Sequence, residues 1–375
     1  MLSKFLFVGL GGSGGKTLQF LHQNLELRLK AIDKKMPKAW QFLWLDVPTI
    51  PDLLDPGSGV KPLPNKYYQS LAGEGLNYNV IDSALIENKG GELYDEMAEW
   101  SPDPSRVDVP IQLGAGQYRA IGRVVTMSRY EDIGRKLDTS FNALEGAGTD
   151  EELKDIAKAL NLEIDDGTKA RRPQVVIVCS LAGGSGAGSI VDVADIIRAK
   201  VTNNESFDDN SVGLLYTPDV FDGKVDNVGI EANAIFALSE IINGSFDSTP
   251  GERPKSELLP QFGIEKPADT RRGPRYNFLV GKSNGKVTFD SPQEIFRNTG
   301  RLLSAWCLDP EITNEIAFDV LGNWAQKSES VSNNSTGLFH YVGSANSPNF
   351  RHPYALNSMG YSSVGLGREY FREYV

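Results

Sequence analysis

Residues Ser180 to Ser189 read Ser-Leu-Ala-Gly-Gly-Ser-Gly-Ala-Gly-Ser, a stretch able to hold an anion with main chain alone. Glycine reaches backbone conformations closed to other residues and removes the side chains that keep a ligand away, so successive N–H groups can converge on a phosphate. The flanks suit that use. Before the loop, Gln174-Val-Val-Ile-Val-Cys179 is a β-branched run without polar breaks, the pattern of a strand buried on both faces. After it, Ile190, Val191, Val193, Ala194, Ile196 and Ile197 recur at helical spacing, with Asp192 and Asp195 in the first turns, where the helix dipole tolerates acids. Strand, glycine loop and helix N-terminus together make a phosphate cradle. A merely tight turn needs about one or two glycines; this one spends Gly183, Gly184, Gly186 and Gly188.

A second loop of the same kind opens the chain. Phe5-Leu-Phe-Val8 reads as a strand, Gly9-Leu-Gly-Gly-Ser-Gly-Gly15 as the loop, and the residues from Lys16 to Leu25 as a helix with Leu18, Leu21 and Leu25 on one face. Gly9, Gly11 and Gly14 match the dinucleotide fingerprint GxGxxG. Gly15-Lys16-Thr17 looks like the end of a Walker A loop, but the first glycine of that motif falls where Leu10 stands. Trp40-Gln-Phe-Leu-Trp-Leu45 reads as a second strand. It ends in Asp46, an acid placed as a Rossmann domain places its ribose acceptor, although later in the chain than usual. A third loop, Gly114-Ala-Gly-Gln-Tyr-Arg-Ala-Ile-Gly-Arg123, carries Arg119 and Arg123, either extra donors to phosphate oxygens or surface residues.

The elements that must position these loops follow from composition and pattern. A chain of 375 residues with 40% apolar and 23% charged residues buries a large core and suits two domains, or one with a big insertion. A net charge of −11 without a basic run argues against nucleic acid and anionic membrane as partners, so a phosphate must be held chiefly by backbone. Cys179, Cys307 and three scattered histidines give neither a disulfide framework nor a metal cluster, and suggest a reducing compartment. The apolar N-terminus is short and runs into glycines, so it reads as a strand rather than a signal peptide. No run approaches the ~20 apolar residues that span a bilayer. The expected location is cytoplasmic.

From Pro51 to Pro110 the chain is rich in Pro, Gly, Asn and acids and reads as an insertion over the ligand face, a possible partner surface. A long helix from Val124 to Leu144 and an acidic one from Asp150 to Leu162 precede the core strand. Val212 to Tyr216 reads as a strand ending in the turn-rich Thr217 to Gly223, Ile230 to Ile242 as a helix, Asn243 to Arg275 as a polar loop, and Tyr276 to Val280 as a strand. Ser291-Pro-Gln-Glu294 is a capping box with proline at the first helical position, opening a helix that carries Ile295, Phe296, Leu302, Leu303, Ala305 and Trp306. The residues from Gly365 to Val375 start an amphipathic helix and stop without a cap.

Taken together, the two separated glycine loops, the Gly-Ala-Gly loop between them, the Pro-Asp strand end and the long last helix resemble the tubulin and FtsZ superfamily of GTPases. The second loop is similar to its GGGTGSG signature, with Ala182, Ser185 and Ala187 as replacements. The likeness covers Met1 to about Trp306 and is nearest to divergent bacterial tubulin-like proteins. It implies an α/β fold, a Rossmann-like, mostly parallel sheet with helices on both faces. A nucleotide-binding GTPase domain is expected over 1–306, with the insertion at about 51–110. A core helix and, over 307–375, the cut-short start of a second, activation-type domain follow.

The resemblance also implies GTP or GDP as ligand, with Mg2+ bound through phosphates and water. Gly11, Gly12 and Ser13 with Ala182, Gly183, Gly184, Ser185 and Gly186 match the phosphate loops, and Gly114, Ala115 and Gly116 the γ-phosphate sensing loop. Phe296 falls where the family stacks an aromatic on guanine, though a core phenylalanine would look the same, and Asp226 is a possible ribose contact. Lys16 stands where FtsZ has an Asn near base and sugar, and Gly300 where the family has an Asp or Asn reading the guanine edge, so the choice of GTP over ATP stays open. Hydrolysis in the family is completed in trans by acids after the core helix, work for a carboxylate as general base. Here the candidates are Glu311, Glu315 and Asp319, with Asp309, outside the family's Asn-x-Asp-x-x-Asp order, and solvated helix-face acids would read the same way. Head-to-tail self-association into filaments is the expected partnership. Two alternatives stand beside it: a dinucleotide-binding oxidoreductase built on Gly9, Gly11, Gly14 and Asp46, which leaves the second loop unexplained, and a nucleotide-binding scaffold that does not hydrolyse.

Overall fold

The computed structural model describes residues 2–72, 77–89, 95, 97, 100–107, 109–163, 173–201, 211–223, 229–245, 262, 272–313, 315–316 and 356–359. The apolar runs form the strands: β1 (Phe5–Leu10), β2 (Trp40–Asp46), β3 (Tyr68–Ser70), β4 (Gln174–Ser180), β5 (Ser211–Tyr216), β6 (Tyr276–Val280) and β7 (Leu356–Ser358). They make a seven-stranded sheet in the order β3-β2-β1-β4-β5-β6-β7. Every pairing is parallel, with Phe5 beside both Trp40 and Gln174. A parallel sheet must be covered on both faces, which explains why these strands are almost wholly apolar.

Side chains alternate between two cores, as the two-residue strand period requires. Leu6, Val8 and Leu10 face one layer with Ile177 and Cys179, whereas Phe5 and Phe7 face the other with Trp44, Val176 and Val178. The first layer holds α2 (Tyr78–Lys89), α3 (Arg119–Met127), α4 (Tyr130–Glu145), α6 (Gly184–Val201) and α7 (Ile230–Ser245). The second holds α1 (Gly11–Ala31), α5 (Thr149–Ala159) and α8 (Pro292–Leu308). This is the α/β sheet with helices on both faces that the sequence implies.

Three expectations are corrected. The single helix over Val124 to Leu144 is two, α3 and α4, because the chain turns at Ser128 and Arg129. There the Ser128 hydroxyl donates to Val125 O at 2.7 Å and the Arg129 guanidinium donates to Leu71 O at 3.1 Å. The stretch over 51–110 is not only an insertion, since it contributes β3 to the sheet edge and buries Leu63, Leu71, Tyr78, Ile81 and Leu85. Arg119 and Arg123 lie on a helix rather than in the third loop. Beyond α8, the residues Leu356–Ser358 join the same sheet beside β6.

At the start of α8 the Ser291 side chain accepts from the Glu294 N–H at 3.3 Å, with Pro292 behind it, as the capping box predicts. The returning Glu294 carboxylate accepts from Asp290 N–H instead of from the cap residue itself. Gly300 lies where α8 meets α1: a Cβ there would stand 2.8 Å from the Cβ of Phe20 and 2.9 Å from the Leu21 nitrogen. Among the described residues no helix is long and apolar enough to cross a membrane.

The chain runs outward from β1 to β2 and β3, then returns to place β4 on the other flank of β1. Ligands of open α/β sheets bind at such a switch point, outside the carboxyl ends of the strands. Here β1 and β4 end in the two glycine loops.

Candidate functional site

At the carboxyl ends of β1 and β4 the three glycine loops touch. Gly11 has a φ of +70°, and a Cβ on it would come 3.0 Å from the Gly186 nitrogen, so the first loop rests on the second. The Gly184 N–H donates to Gly116 O at 3.2 Å, joining the second loop to the third. The Asn233 amide fixes that joint, donating to Gln117 O at 2.6 Å and Ala182 O at 3.0 Å. From below, the Trp44 indole N–H donates to Gly11 O at 3.1 Å. A pair of hydroxyls, Thr17 and Tyr216 at 2.7 Å, ties the second turn of α1 to the end of β5, and the Thr17 hydroxyl also reaches Ser13 O.

The loop glycines divide by what surrounds them. A Cβ on Gly15 would enter the Trp44 indole at 1.8 Å, and one on Gly14 would lie 2.2 Å from Val178 O. In the second unit, Gly188 and Gly122 let α3 in, since a Cβ on Gly188 would meet Arg119 O at 2.4 Å and one on Gly122 of α3 would meet Gly184 O at 2.2 Å; Gly184 admits the third loop, where a Cβ would meet Gly116 O at 2.8 Å. Most of the glycine in both loops is therefore spent on helix and strand packing. Two positions differ. A Cβ at Gly183 would meet nothing within 4 Å, and one at Gly12 would meet only the Asp52 side chain, at 3.0 Å. Both are half-buried, as are Ser13, Ser185 and Gly114, while Gly116 is exposed and Ala115 is buried. Gly114 and Gly116 have φ of +122° and +57°, conformations that favour glycine.

Charge at the site comes from few groups. Asp46 is 2% exposed; its carboxylate accepts from Val47 N–H at 2.8 Å and from the Ser185 hydroxyl. Burial pushes its pKa up to about 6. A side chain so placed supports the second loop from beneath. Lys16 pairs with Asp52 at 2.6 Å. Arg119 and Arg123 do not face the loops. Arg119 donates to Ala187 O and Glu240, and Arg123 to Asp192 at 2.9 Å, in a cluster that Arg272 extends to Asp192 and Asp195. Burial alone would raise Asp192, but Arg123 and Arg272 hold it below the usual carboxylate range. Asp192 and Asp195 are thus buried ion-pair partners, where the sequence suggested acids favoured by the helix dipole.

Other predicted residues lie elsewhere. Phe296 is 5% exposed and packs against Tyr216 and Phe221, with centroids 5.1 and 6.4 Å away, so it sits in an aromatic core cluster. Glu311 lines a cleft with Arg28 and Ala31, the last turn of α1, and Glu315 is exposed a turn further on. With α1 rising about 1.5 Å per residue, these acids sit at the far end of its 21 residues from Gly11. Asp226 and Asp319 fall outside the described residues. Trp44, Asn233, Thr17, Tyr216 and Asp52 escaped the sequence reading. A tryptophan or tyrosine at a strand end looks like core, and a lone Asn on a helix carries no signal.

No curated protein matches the chain. Among solved structures, CetZ2 from Haloferax volcanii, solved as a GTPγS-bound protofilament, is 14% identical with a TM-score of 0.37. The match covers 81% of this chain and 59% of that one, so the chain spans less than two thirds of its length. A family described as tubulin-like matches residues 6–375. By a match that extends over nearly its whole length, the chain belongs to the tubulin-like family.

Proposed function

We propose that the chain binds GTP across the carboxyl ends of β1 and β4, and that head-to-tail stacking of subunits brings slow hydrolysis. One observation carries this. On the two loops that meet at the switch point, Gly12 and Gly183 are glycines that no backbone conformation and no contact within the fold's framework requires. Bare main chain there suits close approach by a phosphate. Gly11, Gly12 and Ser13 with Ala182, Gly183, Gly184, Ser185 and Gly186 would hold the α- and β-phosphates, and Gly114, Ala115 and Gly116 the γ-phosphate. Bound in this way, the nucleotide supplies the phosphoanhydride to be cleaved. Among the described residues no His, Cys, Asp and Glu group of three or more is arranged to hold a metal ion. In this reading a Mg2+ ion would be held by the phosphates and water, as the family resemblance implies.

Preference for guanine follows from the family and not from Phe296 or Gly300, which serve packing. The placement of Glu311 and Glu315 supports hydrolysis in trans. They lie at the end of α1 and α8 remote from the loops, so they reach a nucleotide only across a junction with the next subunit. A heterologous contact of this kind propagates into a filament when its rotation does not close. A domain division at about residue 306, across which Leu356–Ser358 return to pair with β6 in the first domain's sheet, a protein partner on 51–110 and a cytoplasmic location belong to the same reading. Phosphate release is the test. The rate per subunit must climb with protein concentration. A rate per subunit that stays constant over a hundredfold dilution contradicts completion in trans, and no release at any concentration leaves a nucleotide-binding scaffold.

A further inference from the structure

Resting on that nucleotide reading, we propose that Asp52 is a built-in counter-anion of the first glycine loop, holding Lys16 and covering Gly12 until a polyphosphate displaces it. One carboxylate oxygen does both. It lies 2.6 Å from the Lys16 ammonium and 3.0 Å from where a Cβ of Gly12 would stand. The segment carrying it is held at its start and has no regular secondary structure at Asp52. Its start is tied down by the Thr49 N–H to Gln112 O bond at 3.1 Å and by the Tyr68 hydroxyl to Pro48 O. Asp52 itself lies in an irregular stretch before the short turn at Pro56–Ser58, with its side chain 58% exposed.

A carboxylate and a triphosphate repel one another at the mouth of one loop, and buried Asp46 nearby adds to that negative field. Binding therefore requires Asp52 to swing out. Lys16, freed, pairs with the incoming phosphate in its place. The exchange conserves one ion pair at Lys16 and makes affinity a competition between an internal anion and an external one. It also gives Lys16 a task at the phosphates, where the family resemblance puts that position near base and sugar.

Titration of tripolyphosphate and of GTP, followed by tryptophan fluorescence through Trp44, tests this in wild type, Asp52→Asn, Asp52→Ser and Lys16→Ala. Each is measured in EDTA and in magnesium chloride. Both Asp52 variants are expected to bind both ligands about fivefold tighter, the scale of one exposed ion pair, with and without magnesium, and Lys16→Ala to bind more weakly. If the Asp52 variants bind no tighter than wild type, or lose affinity only when magnesium is present, Asp52 is not a counter-anion; the second result would make it a metal-holding residue. Either outcome leaves nucleotide binding standing. Wild type that binds neither ligand overturns the nucleotide reading and the counter-anion with it.

Discussion

The two strand, loop and helix units are built from nearly the same residue types and are held by different physics. In the first, Gly14 and Gly15 press against strand β4 and the Trp44 indole, and α1 is tied to β5 through two hydroxyls. In the second, Gly188 admits the backbone of α3 and Gly184 the third loop, and α6 is anchored through Asp192 and Asp195 to buried Arg123 and half-buried Arg272. Each unit nevertheless leaves one glycine facing outward, Gly12 and Gly183. The difference teaches how to separate candidate ligand positions from scaffold: the glycines shared by both patterns but unused by either packing scheme are the ones left open to a ligand.

The largest break in this comparison should come from the anchor of the second unit. Among the described residues, replacing buried Asp192 by Ala leaves Arg123 with Glu240 alone and Arg272 with Asp195 alone, and is expected to cost about 3 kcal/mol in urea unfolding, the lower end of the scale for a broken buried pair. The equivalent anchor of the first unit, removed by Tyr216→Phe, should cost only about 1 kcal/mol, one neutral hydrogen bond. Equal losses would erase the distinction.

Asp46, which joins the units through Ser185, should give a pH signature. Its folded pKa of about 6 lies above the ordinary value of 3.8, so the folded state binds the proton more tightly than the unfolded chain. This group therefore lowers stability above pH 6, and the loss is relieved as pH falls toward 4. At about 1.4 kcal/mol per pKa unit the swing is roughly 3 kcal/mol at most. Asp46→Asn should remove it, flattening the stability curve between pH 4 and 7 relative to wild type. An unchanged curve would place the carboxylate in water.

Smaller effects sharpen the sorting of glycines. Gly122→Ala drives a methyl into Gly184 O and should destabilise by about 1–3 kcal/mol as overpacking. Gly183→Ala should cost less than about 1 kcal/mol, no more than a helix-cap preference, while weakening GTP binding at least tenfold. A Gly183→Ala protein with full affinity would mean that the open space is not ligand space.

Much of this was legible in the chain because burial on both faces leaves a mark. The runs Phe5–Leu10 and Gln174–Ser180 have no polar break, and the glycines after them end strand and begin helix unambiguously. The edge strand Tyr68–Ser70 was not legible, since three half-buried residues between prolines and a turn carry no period. Nor was the break between α3 and α4, where apolar spacing continues through Ser128 and one of the two bonds at the turn comes from the distant Leu71 carbonyl. The loop glycines showed that something approaches closely, but not what. Whether a neighbour is an indole, a helix backbone or a ligand depends on residues far apart in sequence, such as Trp44 and Gly122. Phe296 illustrates the same limit, because a buried aromatic and a base-stacking aromatic share one pattern.

The most direct measurement is an equilibrium titration of the chain with GTP, ATP and NAD, repeated with Gly183→Val. Saturable GTP binding, weaker or absent NAD binding, and loss of GTP binding in a folded Gly183→Val protein are the predicted results. NAD binding in preference to GTP, or GTP binding that ignores a side chain at residue 183, would contradict a triphosphate gripped by bare main chain.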